Sequence, residues 1–106
     1  MDLILTTDIK KGLQIVKRTP GAVLIDVREK DEYAEGHIPG SVNIPLNDLE
    51  NDIYDHAPDT DAPLFLYCLS GSRSIQGAYV LREFGYDNAC SIGGIENYTG
   101  DLLTGN

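Results

Sequence analysis

The sequence has no tryptophan, only two cysteines and two histidines, few basic residues and no long apolar run. Each shortage excludes something. No stretch approaches the roughly 18 apolar residues of a membrane span. The run Leu3-Ile4-Leu5 is too short for a secretory h-region and has no basic residue before it. A cytoplasmic protein is therefore expected. Cys68 and Cys90 allow at most one disulfide, and a domain of this size does not need one, so two free thiols are expected. Eight Lys and Arg face 17 Asp and Glu, a net charge of −9. Such a field repels nucleic-acid phosphates and anionic headgroups, so neither nucleic acid nor membrane is an expected partner. It also slows small anions unless a local feature reverses the potential.

What is present reads as one α/β unit over residues 1–106, with no repeat, low-complexity tract or linker. Thr7 is the expected N-cap of a helix over about 8–18, with Ile9, Leu13 and Val16 on one face. Residues 22–27 and 63–68 are short apolar runs, the pattern of strands buried on both faces. A charged turn of helix from Glu29 to Glu35 stops at Gly36, and a short strand is expected at Val42–Ile44. Asn47 is placed to cap a helix carrying Leu49, Ile53 and Tyr54. A helix from about Ser72 to Phe84 carries Gly77, Ala78, Leu81 and Phe84 on one stripe, with Gly85 to end it. Asn88 to Ile92 reads as a last strand, followed by Gly93-Gly94 and a short helical piece. Strands alternating with helices predict a mainly parallel sheet with helices on both faces.

The segment Cys68-Leu69-Ser70-Gly71-Ser72-Arg73-Ser74 carries the chemistry. It joins the carboxyl end of a buried strand to a helix N-terminus, the place where open α/β sheets bind ligands. A tight loop of small residues curled around the thiol aims backbone N–H groups at one spot, an anion nest. Gly71 supplies backbone freedom and Arg73 a fixed positive charge. Helix N-terminus and guanidinium together favour the thiolate, the reactive form of cysteine. A cysteine that merely ends a buried strand is the bland alternative. The loop and the arginine five residues on weigh against it.

The pattern C-x4-R-S, with Ile25-Asp26-Val27-Arg28, Glu32-Tyr33, the stretch from Gly36-His37-Ile38-Pro39-Gly40 to Ser41-Val42-Asn43-Ile44-Pro45, and Gly93-Gly94-Ile95, resembles a single-domain rhodanese. The likeness runs from about residue 8 to 100. It implies a sulfurtransferase: Cys68 takes a sulfane sulfur from thiosulfate or a persulfide, then passes it to cyanide or a thiol. The N–H groups of Leu69, Ser70, Gly71, Ser72 and Arg73 would cradle the transferred sulfur. No metal and no organic cofactor is implied. Similar phosphatase loops are one residue longer, C-x5-R, because they surround a phosphate; here four residues separate Cys68 from Arg73. The basic residue that many such loops carry after the cysteine is Leu69 here. That favours sulfur delivered by a protein persulfide partner or a small thiol. The alternative function is thus a sulfur-carrier or regulatory module with little free thiosulfate turnover.

The remaining candidates are supporting ones. Asp26 is expected to accept N–H bonds near the site, and Arg28 to pair with Glu32 or another acid. His37 is expected to fix its turn by hydrogen bonding, and Ser74 to lie beside the loop. Cys90, on the last strand, reads as a core thiol; a resolving role opposite Cys68 is the sharper alternative. Tyr98, where many relatives carry tryptophan, reads as core or pocket rim. His56 and the acids Asp52, Asp55, Asp59 and Asp61 read as solvated, without metal-ligand spacing.

Overall fold

Apolar strand runs separated by amphipathic helices collapse into a three-layer arrangement. The computed structural model describes residues 2–106. The elements run α1 (Ile9–Arg18), β1 (Val23–Asp26), α2 (Lys30–Glu35), β2 (Ser41–Asn43), a 3-10 turn (Leu46–Asp48), α3 (Leu49–His56), β3 (Leu64–Cys68), α4 (Ser72–Glu83), β4 (Ala89–Gly94) and a second 3-10 turn (Ile95–Asn97). The four strands form one parallel sheet in the order β2-β1-β3-β4. β1 and β3 are neighbours whose chains leave in different directions, so the crevice beyond their carboxyl ends is the switch point of the sheet.

Alternation along the strands sorts the core into two clusters. Ile25, Val27, Leu64, Leu66 and Cys68 pack with Leu49, Ile53, Ala78 and Leu81 of α3 and α4. Leu24, Phe65, Tyr67, Cys90 and Ile92 pack on the other face with Ile9 of α1. α4 sits close to the sheet because Gly77 has no side chain: a Cβ there would lie 2.8 Å from Leu66 Cδ2.

Local chemistry moves several boundaries. Asp8, not Thr7, caps α1; its carboxylate accepts from the N–H groups of Lys10 and Lys11. Asn47 lies inside the 3-10 turn that leads into α3, and Tyr54 and Phe84 are exposed, outside the packed stripes. β2 starts one residue earlier than Val42. β4 takes in Gly93 and Gly94, which puts Gly94 opposite Cys68. Both ends of the chain also pair with the body. Leu5 N–H donates to Ser91 O at 2.9 Å and Ser91 N–H to Leu3 O at 2.7 Å, while Leu103 and His37 exchange backbone bonds at 2.9 Å. Among the described residues no helix is long and apolar enough to cross a membrane.

Candidate active site

β3 is buried along its whole length and ends at Cys68, so the thiol is delivered to the switch point on a rigid strand. The chain then turns through Leu69 and Ser70, both exposed, and enters α4 at Gly71. Gly71 has φ +113°, left-handed backbone that side chains rarely adopt. This bend returns the helix start to the sulfur: Cys68 Sγ accepts the N–H of Gly71 at 3.0 Å and that of Ser74 at 3.4 Å. Ser74 Oγ is a third polar neighbour at 3.6 Å. Gly94 makes room from the opposite side, since a Cβ there would collide with Leu69 O and lie 2.7 Å from Ser70 Cα. Glu96 N–H then ties Leu69 O at 3.1 Å. Gly94 at the end of β4 is therefore a clearance for the loop, whereas a Cβ on Gly93 would lie 2.8 Å from Thr7 O.

Of the five expected nest residues, only Gly71 places its N–H on the sulfur; the second bond comes from Ser74. Arg73 does not point its charge at the thiol alone. Its guanidinium grips Glu32 of α2 in a two-pronged pair, 2.7 and 3.0 Å, with both side chains about one-third exposed (31% and 30%). The arginine holds the Glu32 carboxyl down at about 2. Glu32 also accepts Glu29 N–H at 3.0 Å, closing the first turn of α2. One carboxylate thus caps the helix that follows β1 and clasps the loop that follows β3.

Asp26 and Arg28 form a separate, fully buried pair. Asp26 accepts from Arg28 N–H at 2.9 Å and from its guanidinium at 2.7 to 3.1 Å, and the guanidinium also reaches Gly36 O at 2.7 Å. Arg28 pairs with Asp26 rather than Glu32, and this pair fixes the end of β1. His37 stacks on Tyr33 with ring centroids 3.6 Å apart, and its Nδ1 lies 2.8 Å from Tyr33 O. Tyr67 Oη accepts Ile38 N–H at 3.1 Å beside Ser41 Oγ; burial holds its phenol neutral by pushing its pKa far up. These contacts secure the turn-rich stretch 36–45. None of them touches Cys68.

Cys90 lies on the α1 face of the sheet, so the two sulfurs are separated by the sheet itself. Its register partner is Phe65, three residues before Cys68, a further offset of roughly 10 Å along the strand. The resolving disulfide is out of reach in this fold. Tyr98 rims a cleft with Leu13, Lys17, Leu24 and Ile38 on the α1 side. His56 and the acids Asp52, Asp55, Asp59 and Asp61 are exposed. Among the described residues no group of three or more His, Cys, Asp or Glu could hold a metal ion.

Residues 8–101 match the family described as Rhodanese-like domain. The chain belongs to that family. It is 34% identical over 73 residues to the thiosulfate sulfurtransferase PspE of Escherichia coli, covering 69% of this chain and 70% of that one. It is 35% identical over 94 residues to the thiosulfate sulfurtransferase GlpE of Pseudomonas entomophila, covering 84% of each. The solved structure of a human single-domain sulfurtransferase superposes with a TM-score of 0.76 at 25% identity, covering 92% of this chain and 96% of that one. This rhodanese is a sulfurtransferase with an all-parallel four-stranded sheet. Sequence reasoning did not find the Glu32–Arg73 clasp or the place of Ser91 behind Ser74. Neither had a local signal: a Glu three residues after Glu29 marks the capping box of α2 and not a partner 41 residues away.

Proposed function

We propose that this rhodanese moves a sulfane sulfur through a persulfide on Cys68, with residues 1–106 acting as one domain. The observation that carries the reading is the convergence of Gly71 N–H and Ser74 N–H on Cys68 Sγ at the mouth of α4. Hydrogen bonds to the charged form favour it, so these donors stabilise a thiolate. The thiolate attacks the outer sulfur of a donor such as thiosulfate. A new S–S bond forms on Cys68, the donor's S–S bond breaks, and sulfite leaves with the electron pair. Cyanide or a thiolate acceptor then attacks the outer sulfur, and the thiolate of Cys68 is regenerated. The N–H groups of Leu69, Ser70, Ser72 and Arg73, none of which bonds Sγ, are the donors left for the outer sulfur. The sulfur travels on the protein, so neither metal nor organic cofactor has a part.

Intact-protein mass after thiosulfate treatment tests this. A gain of about 32 Da, removed by cyanide and absent in Cys68→Ser, is expected from thiolate chemistry. A gain that persists in Cys68→Ser would overturn the assignment of the nucleophile.

A second reading concerns the donor. Leu69 is 45% exposed beside the thiol, and the Arg73 charge is matched by Glu32, so the mouth of the loop attracts a dianion weakly. Sulfur brought as a persulfide of a protein partner or small thiol avoids that handicap. An adduct from such a persulfide, with none from thiosulfate, decides for this carrier reading.

A further inference from the structure

Behind the reacting thiol lies a second buried hydroxyl. Ser91 sits in the middle of β4, 1% exposed, on the face that α4 covers. Its Oγ is 2.7 Å from Ser74 Oγ and accepts the N–H of Gly93 at 3.4 Å. Ser74 Oγ donates its own proton to Gly71 O at 2.9 Å, so in the 2.7 Å pair Ser91 donates and Ser74 accepts. Ser74 has a single proton of its own. With Cys68 as a thiol, the S–H points to Ser74 Oγ at 3.6 Å and the Ser74 proton goes to Gly71 O at 2.9 Å.

Ionisation of Cys68 reverses the demand on Ser74. The sulfur no longer donates and needs donors, and the Ser74 hydroxyl meets that need by rotating its proton from Gly71 O to the sulfur. The rotation orphans nothing, because Gly71 O keeps the N–H of Ile75 at 3.2 Å. It does require that the Ser74 proton not be drawn toward β4. Ser91 secures this by filling a lone pair of Ser74 Oγ with its own proton.

We propose that Ser91 is a positioning residue for the thiolate: it orients Ser74 so that this hydroxyl accepts from the Cys68 thiol and donates to the thiolate. The proposal rests on the reading of Cys68 as the reacting atom. Charged groups on the surrounding elements are Arg73 of α4, Glu32 of α2, the Asp26–Arg28 pair at the end of β1 and exposed Glu96 after β4. Substitution of either serine changes none of them.

The test is the pH profile of Cys68 alkylation by iodoacetamide in a Cys90→Ser background, with Ser91→Ala, Ser74→Ala and the double variant. Ser91→Ala is expected to move the midpoint up by about half a pH unit, a roughly threefold loss of rate on the acid side. Ser74→Ala is expected to move it by about one unit, and the double variant no further, since Ser91 acts through Ser74. Ser91→Gly removes the same hydroxyl without adding contacts and repeats the measurement if the alanine variant folds poorly. A Ser91→Ala profile that superimposes on the parent, or a shift recurring in full without Ser74, would overturn the proposal. Alkylation needs no sulfur transfer, so a protein that shows these shifts yet gains no sulfur refutes the proposed function and not this inference.

Discussion

The two thiols occupy adjacent strands and are almost equally buried, yet their surroundings oppose each other. Cys68, 1% exposed, receives two backbone N–H bonds at the sheet's open end, beneath exposed loop residues. Cys90, 4% exposed, lies within the α1-side core, where its contact is Leu64 O at 3.8 Å, a group that accepts from a thiol and repels a thiolate. Burial pushes the Cys90 thiol up, with Arg82 offsetting only part of it. The lesson is that burial by itself makes an inert cysteine. A reactive one needs donors fixed on the sulfur and a cover that is loop rather than helix.

The largest effect expected from breaking this contrast is the exchange of the two thiols' fates. Cys68→Ser should lower sulfur transfer by on the order of 10³-fold or more, whereas Cys90→Ser should leave it within about twofold. Cys90→Ser should instead cost about 1 kcal/mol of stability, read from denaturant titration, because a hydroxyl replaces a thiol in an apolar cluster.

Next in size is the clearance at Gly94. Gly94→Ala drives a methyl into the Leu69–Ser70 backbone, and a loss of about 2–3 kcal/mol is expected together with most of the activity. Unchanged activity in that variant would show that the loop finds its shape without the β4 contact. A smaller change concerns charge. Leu69→Lys adds a cation at an exposed site, and thiosulfate turnover is expected to rise roughly threefold to tenfold. In the unaltered protein, with net charge −9, the rate with thiosulfate is expected to rise as added inert salt screens the surface. A steady fall would mean that a local positive field governs the approach.

The smallest effect separates the clasp from the site it borders. Glu32 has an ordinary value of 4.5 and is held at about 2 in the fold. The folded value lies below the unfolded one, so its stabilisation is fully present above about pH 4.5 and is lost as pH falls toward 2. Partial exposure limits it to about 1 kcal/mol. Thermal melts of Glu32→Gln against the parent should differ at neutral pH and converge near pH 2–3.

How much of this the sequence discloses depends on the range of the forces involved. β1 and β3 are legible because strands covered on both faces leave mainly apolar runs, broken in β1 only by Asp26, and the loop after Cys68 is legible because its chemistry is contiguous. Caps compete locally, and Asp8 outbids Thr7 by one residue because its carboxylate reaches two N–H groups at once. Contacts closed by the fold leave no local trace. Glu32 meets Arg73 across 41 residues, and Ser91 meets Ser74 across 17, between elements that only the sheet order brings together. Leu3 to Leu5 and Leu103 carry too little pattern to declare their pairing with β4 and with His37.

The central claim is that donors fixed on the sulfur, rather than burial, decide which thiol reacts. Its most direct test is limited labelling with iodoacetamide at about pH 6.5, some two units below a free thiol, followed by peptide mass mapping. The account predicts label on Cys68 and essentially none on Cys90. Equal labelling, or preference for Cys90, would contradict it.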